Sequence, residues 1–145
     1  MPDPRTAPTS LREQLQRDEG CRLKPYRDQV GKLTIGFGRN LDDVGLSQTE
    51  ADTLLDNDIQ RATAAVLAYI PWAHRLDPVR LAVLINMAFN MGIGGLVKKN
   101  PKMLAACERG EYAVAATEML DGPWKDQVDI RAERLAEQMR VGEWR

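Results

Sequence analysis

A chain of 145 residues with 43% hydrophobic and 28% charged side chains is long enough for one domain with its own core and too apolar to be disordered. Twenty basic and 21 acidic residues leave a formal charge of −1, which excludes the basic excess of a dedicated nucleic-acid binder. Cys21 and Cys107 lie far apart in a chain that needs no staple, and they read as free thiols in a reducing cytosol.

The amino-terminal MPDPRTAPTS has no apolar core and no cleavage-like segment, so no signal peptide is expected. Ser10, with Glu13 three residues on, is a capping box and predicts a short helix over 11–19 that stops at Gly20. Helical period is lost over 22–37. Two short strands, near 22–26 and 32–37, are expected to pair across a turn containing Asp28 and Gly31. Residues 42–45 read as another turn. A second capping box, Ser47 with Glu50, opens a long helix on which Leu54, Leu55, Ile59, Ala62, Val66 and Ile70 recur at helical spacing. Its acidic first half, with Glu50, Asp52, Asp56 and Asp58, reads as a solvated face rather than a metal site.

Pro71 ends that helix, and Asp77-Pro78 starts the next in the favoured cap and first-turn arrangement. The segment RLAVLINMAFNMG is apolar nearly all round and belongs at the centre of a helical lobe. The longest charge-free stretch, 81–97, reads as too short and too polar to span a bilayer. Three or four shorter helices follow, punctuated by the glycines at 92, 94 and 95, by Asn100-Pro101, by Gly110 and by Gly122-Pro123. The layout is α+β: a small lobe over about 1–46, a connecting helix over about 47–70 and a helical lobe over about 71–145, with a ligand cleft expected between the lobes.

Within 17–38, RDEGCRLKPYRDQVGKLTIGFG, the spacing suggests chemistry. Glu19 is expected to end the first helix, where the negative end of the dipole disfavours its ionised form, as a general acid requires. Asp28 falls in a polar turn that suits an ionised carboxylate. Thr34, on the second strand, offers a hydroxyl able to hold a water. Two carboxyls in contrasting environments and a water-holding hydroxyl are the parts needed to hydrolyse a glycosidic bond with inversion. Each residue also has a plain structural reading: Glu19 paired with Arg17 or Arg22, Asp28 as a turn former, Thr34 as a strand residue. His74 has no partner cysteine or histidine nearby and reads as a surface residue, not a metal ligand. The Gly36-x-Gly38 pair lacks the third glycine of a nucleotide loop and is read instead as allowing close approach of a polysaccharide to the backbone.

The same stretch resembles the active-site region of the T-even phage lysozymes, glycoside hydrolase family 24. Their helix ending in Glu-Gly, an aspartate nine residues on and a Thr-Ile-Gly-x-Gly strand appear here as Glu19-Gly20, Asp28 and Thr34-Ile35-Gly36-Phe37-Gly38. RLAVLINMAFNMG looks like the family's central helix, and PWKDQVDIRAERL like its penultimate segment, with Trp124, Gln127, Arg131 and Arg134 in place. The resemblance implies a lysozyme-like fold with Glu19 as general acid, Asp28 as base and Thr34 positioning the attacking water. It further implies Phe89 and Asn90 at the cleft floor, with Asn100 and Arg131 also toward the sugar chain; Phe89 has core packing as an equal alternative. Two features depart from the family: Arg39 stands where a histidine is frequent, and the 39–46 segment is short.

The implied activity is that of an endolysin, a muramidase cutting the β-1,4 bond between N-acetylmuramic acid and N-acetylglucosamine in peptidoglycan glycan strands. No cofactor, metal or nucleic acid is implied. A monomer without stable membrane association is expected, made in the host cytoplasm, released by a holin and acting on the wall in the periplasm. The rivals are a catalytically idle wall-binding or virion structural protein and a lytic transglycosylase, which needs one acid and yields an anhydro sugar.

Overall fold

Helix α1 (Leu11–Glu19) begins where Ser10 Oγ accepts the Glu13 amide at 3.2 Å. The carboxylate of Glu13 reaches back to the amide and hydroxyl of Thr9, at 2.7 and 2.8 Å, so the capping box closes one residue earlier than its usual form. Gly20, at φ 65°, turns the chain out of the helix while its N–H returns to Gln16 O. These features come from a computed structural model that describes residues 7–122 and 130–145. The fold is α+β, mostly helical with one small antiparallel sheet, and the chain divides into two compact units, Met1–Asp52 and Thr53–Arg145.

In the first unit, β1 (Arg22–Arg27), β2 (Leu33–Gly36) and β3 (Arg39–Asn40) lie in that order, with Tyr26 opposite Thr34 and Thr34 opposite Asn40. Pro25 has no N–H to give a ladder and sits on an edge strand, where the register is irregular between Arg22 and Tyr26. The third strand is additional to the expected hairpin; two residues carry no alternation to read.

Arg39 explains how so short a strand is held. Its guanidinium forks onto Glu50 at 2.8 and 2.7 Å and donates to Gly45 O at 3.1 Å. Glu50 meanwhile completes a reciprocal capping box, its amide donating to Ser47 Oγ at 3.2 Å and its carboxylate accepting the Ser47 amide at 2.8 Å. The Arg39 hydrogen bonds, and after them the Ser47 amide, hold the Glu50 carboxyl down to about 2 from an ordinary 4.5. A carboxyl depressed in the folded state stabilises fully above its unfolded value and loses that contribution as pH falls toward the folded one. Melting temperature should therefore decline more steeply between about pH 5 and pH 2.5 in the native sequence than in Glu50→Gln. Parallel slopes in the two proteins would contradict this.

Helix α2 (Gln48–Tyr69) passes through the boundary between the units. Only its C-terminal part uses the apolar repeat as expected: Val66 and Ile70 are buried, while Leu54, Leu55 and Ile59 are 43–49% exposed. A short 3-10 turn (Pro71–Arg75) follows, in which His74 Nδ1 meets the Pro71 carbonyl. Helix α3 (Pro78–Lys99) is capped by Asp77, whose carboxylate accepts the Arg80 amide at 2.9 Å. It kinks at Gly92, whose φ of 77° and ψ of 156° are not helical. By length and hydropathy α3 could cross a membrane, contrary to the sequence reading of 81–97. Val83, Leu84, Met87, Ala88 and Leu96 are instead buried in a hydrophobic cluster, as in the core helix of a globular lobe.

Helices α4 (Pro101–Glu108), α5 (Tyr112–Asp121) and α6 (Ile130–Val141) complete the second unit. Met103, Ala106, Ala115, Met119, Leu135 and Met139 join the α3 residues in that cluster. Cys107 lies among them, its Sγ 3.4 Å from Met139 Sδ, and burial pushes its thiol up to about 12 against the opposing pull of Arg80. Cys21 is exposed, and both cysteines are free.

Arg80 ties the start of α3 to the end of α6. Its Nε donates to Met139 O at 2.7 Å, its Nη2 to Arg140 O at 3.0 Å and its Nη1 to Asp77 at 3.1 Å, with the guanidinium stacked 3.8 Å from the centre of the Tyr112 ring. Partial burial works to raise the Asp77 carboxyl, but the Arg80 amide and guanidinium outweigh it and leave the group below its ordinary value. Gly142 ends α6 beneath this guanidinium; a Cβ there would stand 2.8 Å from Arg80 Nη1.

Candidate active site

The hairpin turn is built by Asp28. Its amide donates to Lys32 O at 2.9 Å, its carbonyl accepts the Gly31 amide, and its Oδ1 accepts the amides of Val30 and Lys32 at 2.9 and 2.8 Å. The turn-forming reading of this residue is thus correct, yet it uses only one carboxylate oxygen. Among the described residues nothing donates to Oδ2, which is therefore chemically able to accept a proton.

Thr34 stands on β2, 3% exposed, with its hydroxyl donating to Lys32 O at 2.9 Å. The backbone of Asp28 and the side chain of Thr34 therefore meet on one carbonyl. A hydroxyl whose proton is committed there keeps its lone pairs as acceptors, so toward a water it can receive a hydrogen bond but not give one.

Glu19 closes α1, exposed, and among the described residues no hydrogen bond or ion pair holds its carboxylate. The pairings that would have made it a plain surface residue are absent: Arg17 bonds Asp18 at 2.9 Å, and Arg22 stacks 4.3 Å from the centre of the Tyr26 ring. The Glu19 carboxylate lies close against Gly38. A Cβ built there would stand 2.8 Å from Glu19 Oε2 and 3.4 Å from its Cδ, and Gly38 has φ 77°. The close approach expected of a polysaccharide at this glycine is made by the carboxylate itself, while Gly36, at φ 68°, has nothing within 4 Å of its virtual Cβ.

The two glycines separate strain from contact. Gly36→Ala and Gly38→Ala should each destabilise by about 1–2 kcal/mol through left-handed backbone. Only Gly38→Ala should also displace the carboxylate, with a loss of wall-lytic activity of about tenfold or more, in line with the sensitivity of catalysis to ångström-scale misplacement. Equal activities in the two variants would remove Gly38 from the site.

The residues expected toward the sugar chain all lie in the second unit. Phe89 is 46% exposed, so core packing does not account for it, and Asn90 beside it is exposed. Arg131 commits Nε and Nη2 to Asn86, at 2.9 and 2.6 Å to Oδ1 and 3.3 Å to the carbonyl, tying α6 to α3. Asn100 differs from expectation. It is 6% exposed at the α3–α4 junction and donates to Leu96 O at 3.3 Å and Met91 Sδ at 3.6 Å, the bonding of a corner residue rather than of an open sugar contact. Arg134 is exposed on α6; Trp124 and Gln127 lie outside the described residues. Among the described residues no group of three or more His, Cys, Asp or Glu side chains is placed to hold a metal ion.

Residues 16–137, which take in all of these positions, match the sequence family described as phage lysozyme. The chain belongs to the phage lysozyme family. With that membership comes the lysozyme class of glycoside hydrolase, whose substrate is peptidoglycan. The chain is 32% identical over 154 residues to the pre-baseplate central spike protein Gp5 of Enterobacteria phage T4, covering 87% of this chain but only 27% of the spike protein. It is 26% identical over 165 residues to probable T4-type lysozyme 1 of Dictyostelium discoideum, covering 92% of this chain and 95% of that one. An endolysin of Acyrthosiphon pisum secondary endosymbiont phage 1 is 28% identical over 110 residues, covering 73% of this chain and 72% of its own. For this phage lysozyme, the motif from Glu19 to Gly38 is what nominates the candidate site; the close approach of Gly38 to Glu19, and the bonds of Asn86 to Arg131, had no signal beyond the glycine pair itself.

Proposed function

We propose that the protein is an endolysin that hydrolyses the β-1,4 bond between N-acetylmuramic acid and N-acetylglucosamine with inversion. The observation that carries this is the convergence of Asp28 and Thr34 on the Lys32 carbonyl, with one Asp28 oxygen spent on the turn and the other open. A water that donates one hydrogen to Asp28 Oδ2 and the other to Thr34 Oγ1 keeps its lone pair for the anomeric carbon. Asp28 takes the proton as the bond forms, and Glu19, untethered and seated on Gly38, delivers one to the leaving oxygen. Phe89, Asn90 and Arg131 are the residues offered to the sugar chain; Asn100 acts through the corner it holds.

Mass spectrometry of muropeptides released from purified walls tests the reaction. Reducing muramic acid ends support the hydrolase, and 1,6-anhydro ends would identify a lytic transglycosylase instead. In a Gram-negative host the endolysin reading has the protein made in the cytoplasm, released by a holin and acting in the periplasm. Cells expressing it alone should stay intact until the inner membrane is permeabilised. The likeness to the central spike protein favours one second reading, a lysozyme domain carried on a virion component. Detection of the chain in purified virions would decide for it.

A further inference from the structure

We infer that Asp43 is a positioning residue for the base: it holds the Lys32 ammonium away from Asp28 and so keeps Asp28 Oδ2 open to the attacking water. The inference rests on the base role proposed above for Asp28, and every group in it lies in the first unit. The Lys32 backbone serves Asp28 twice, its amide donating to Oδ1 at 2.8 Å and its carbonyl accepting the Asp28 amide at 2.9 Å. A flexible cation rooted one bond from that amide has the carboxylate within reach. An ammonium settled on Oδ2 would occupy the lone pairs that the water needs. It would also favour the ionised carboxylate and so weaken it as a proton acceptor.

The two charges are kept apart. Lys32 Nζ donates to Asp43 Oδ1 at 2.9 Å, and among the described residues no hydrogen bond or ion pair joins it to Asp28. Exposed ion pairs contribute little when two long side chains must be ordered to make them. Asp43 is fixed beforehand: its Oδ2 accepts Asn40 Nδ2 at 2.9 Å, and its amide donates to Asn40 Oδ1 at 3.0 Å. Only the lysine side chain remains to be ordered. The other charges around the pair are engaged. Asp42 Oδ2 accepts the Leu33 amide at 2.8 Å and stands 3.9 Å from Arg27, whose Nη1 donates to Gly31 O at 3.0 Å. Asp43, by its hydrogen bond and then its charge, holds the Lys32 ammonium above its ordinary range against the opposing effect of burial; Asp42 adds to this, and Asp28 adds least. The lysine therefore stays charged at working pH and has to be placed, not neutralised. The short 39–46 segment, a departure from the family, supplies the carboxylate that claims it.

The test is a double-mutant cycle on wall hydrolysis. Asp43→Asn keeps an oxygen for Asn40 and loses the charge that holds Lys32. In the native background it should lower kcat about fivefold to tenfold, with a melting temperature near native. The acid limb of the kcat/KM profile should move to lower pH by about half a unit, because a cation on the base keeps it ionised in more acid solution. In a Lys32→Met background, where no ammonium remains to be released, Asp43→Asn should change the rate less than twofold and leave the limb in place. A crystal structure of the Asp43→Asn protein supplies a readout independent of activity, and it should show Lys32 Nζ turned onto the Asp28 carboxylate. An equal effect of Asp43→Asn in both backgrounds, or a Lys32 side chain that stays off Asp28 in the variant, would overturn the inference. Failure of the base role shows separately, as an Asp28→Asn enzyme as fast as the native one while Lys32 still moves in the Asp43→Asn crystal.

Discussion

Replacing Glu19 by glutamine is expected to lower the rate of wall hydrolysis by about two to four orders of magnitude, typical of lost acid–base catalysis, while leaving the fold in place. The carboxylate makes no hydrogen bond or ion pair among the described residues, so the substitution breaks no structural contact there. Asp28→Asn is the complementary experiment. The asparagine carbonyl can still accept the amides of Val30 and Lys32, so the turn survives, while the oxygen that would take the proton becomes an amide. A loss as severe as that of Glu19→Gln is expected, with melting temperature near that of the native protein. Thr34→Ala should be intermediate in rate, since water enters without the hydroxyl to orient it. With inversion, the first product carries the α configuration, visible by NMR before mutarotation, and the two carboxyls stand about 6.5–9.5 Å apart when the water is bound between them. A β-configured first product, or an Asp28→Asn enzyme as fast as the native one, would show the roles to be wrongly assigned.

The largest effect on stability is expected at Arg80. Alanine there removes three charge-assisted hydrogen bonds and a stacked ring, leaving the Met139 and Arg140 carbonyls at the end of α6 without their donor. The loss should be about 2–4 kcal/mol, since charged hydrogen bonds contribute about 1.5–3 kcal/mol each but do not add when they share one group. For a chain of this size that lowers the melting temperature by roughly 5–15 °C. Arg80→Lys keeps the charge but not the fork, so it should recover less than half of the loss. Rates per folded molecule at 25 °C should be unaffected, because the Arg80 guanidinium bonds Asp77, Met139 and Arg140 and stacks on Tyr112, and touches none of the candidate site residues. A melting temperature within a degree of native for Arg80→Ala would refute the clamp.

What the sequence made legible follows the range of the forces involved. Ser10 with Glu13, Ser47 with Glu50 and Asp77 before Pro78 are contacts three residues apart or fewer, and each appears where the spacing put it. Asp28 and Gly31 likewise announced their turn. The bonds from Arg80 to Met139 and Arg140 span about sixty positions and leave no periodic trace. The repeat of Leu54, Leu55 and Ile59 was readable as one face with Val66, but a period does not say how far along a helix its neighbour extends. At the candidate site the motif gave the residues in order. The seat of Glu19 on Gly38 was hidden because a glycine shows only that something may come close, not what does.

Among the described residues of the first unit only Thr34 is fully buried, whereas the whole hydrophobic cluster belongs to the second. Glu19, Asp28 and Thr34 are thus carried by the part of the molecule held mainly by hydrogen bonds, caps and one forked ion pair. Such a segment opens with a smaller free energy than the global one, and its amides exchange first. On warming, activity is expected to fade by this local opening while calorimetry still finds the helical core closed. Enzyme that has stopped working in this way should regain activity on cooling, without having unfolded as a whole.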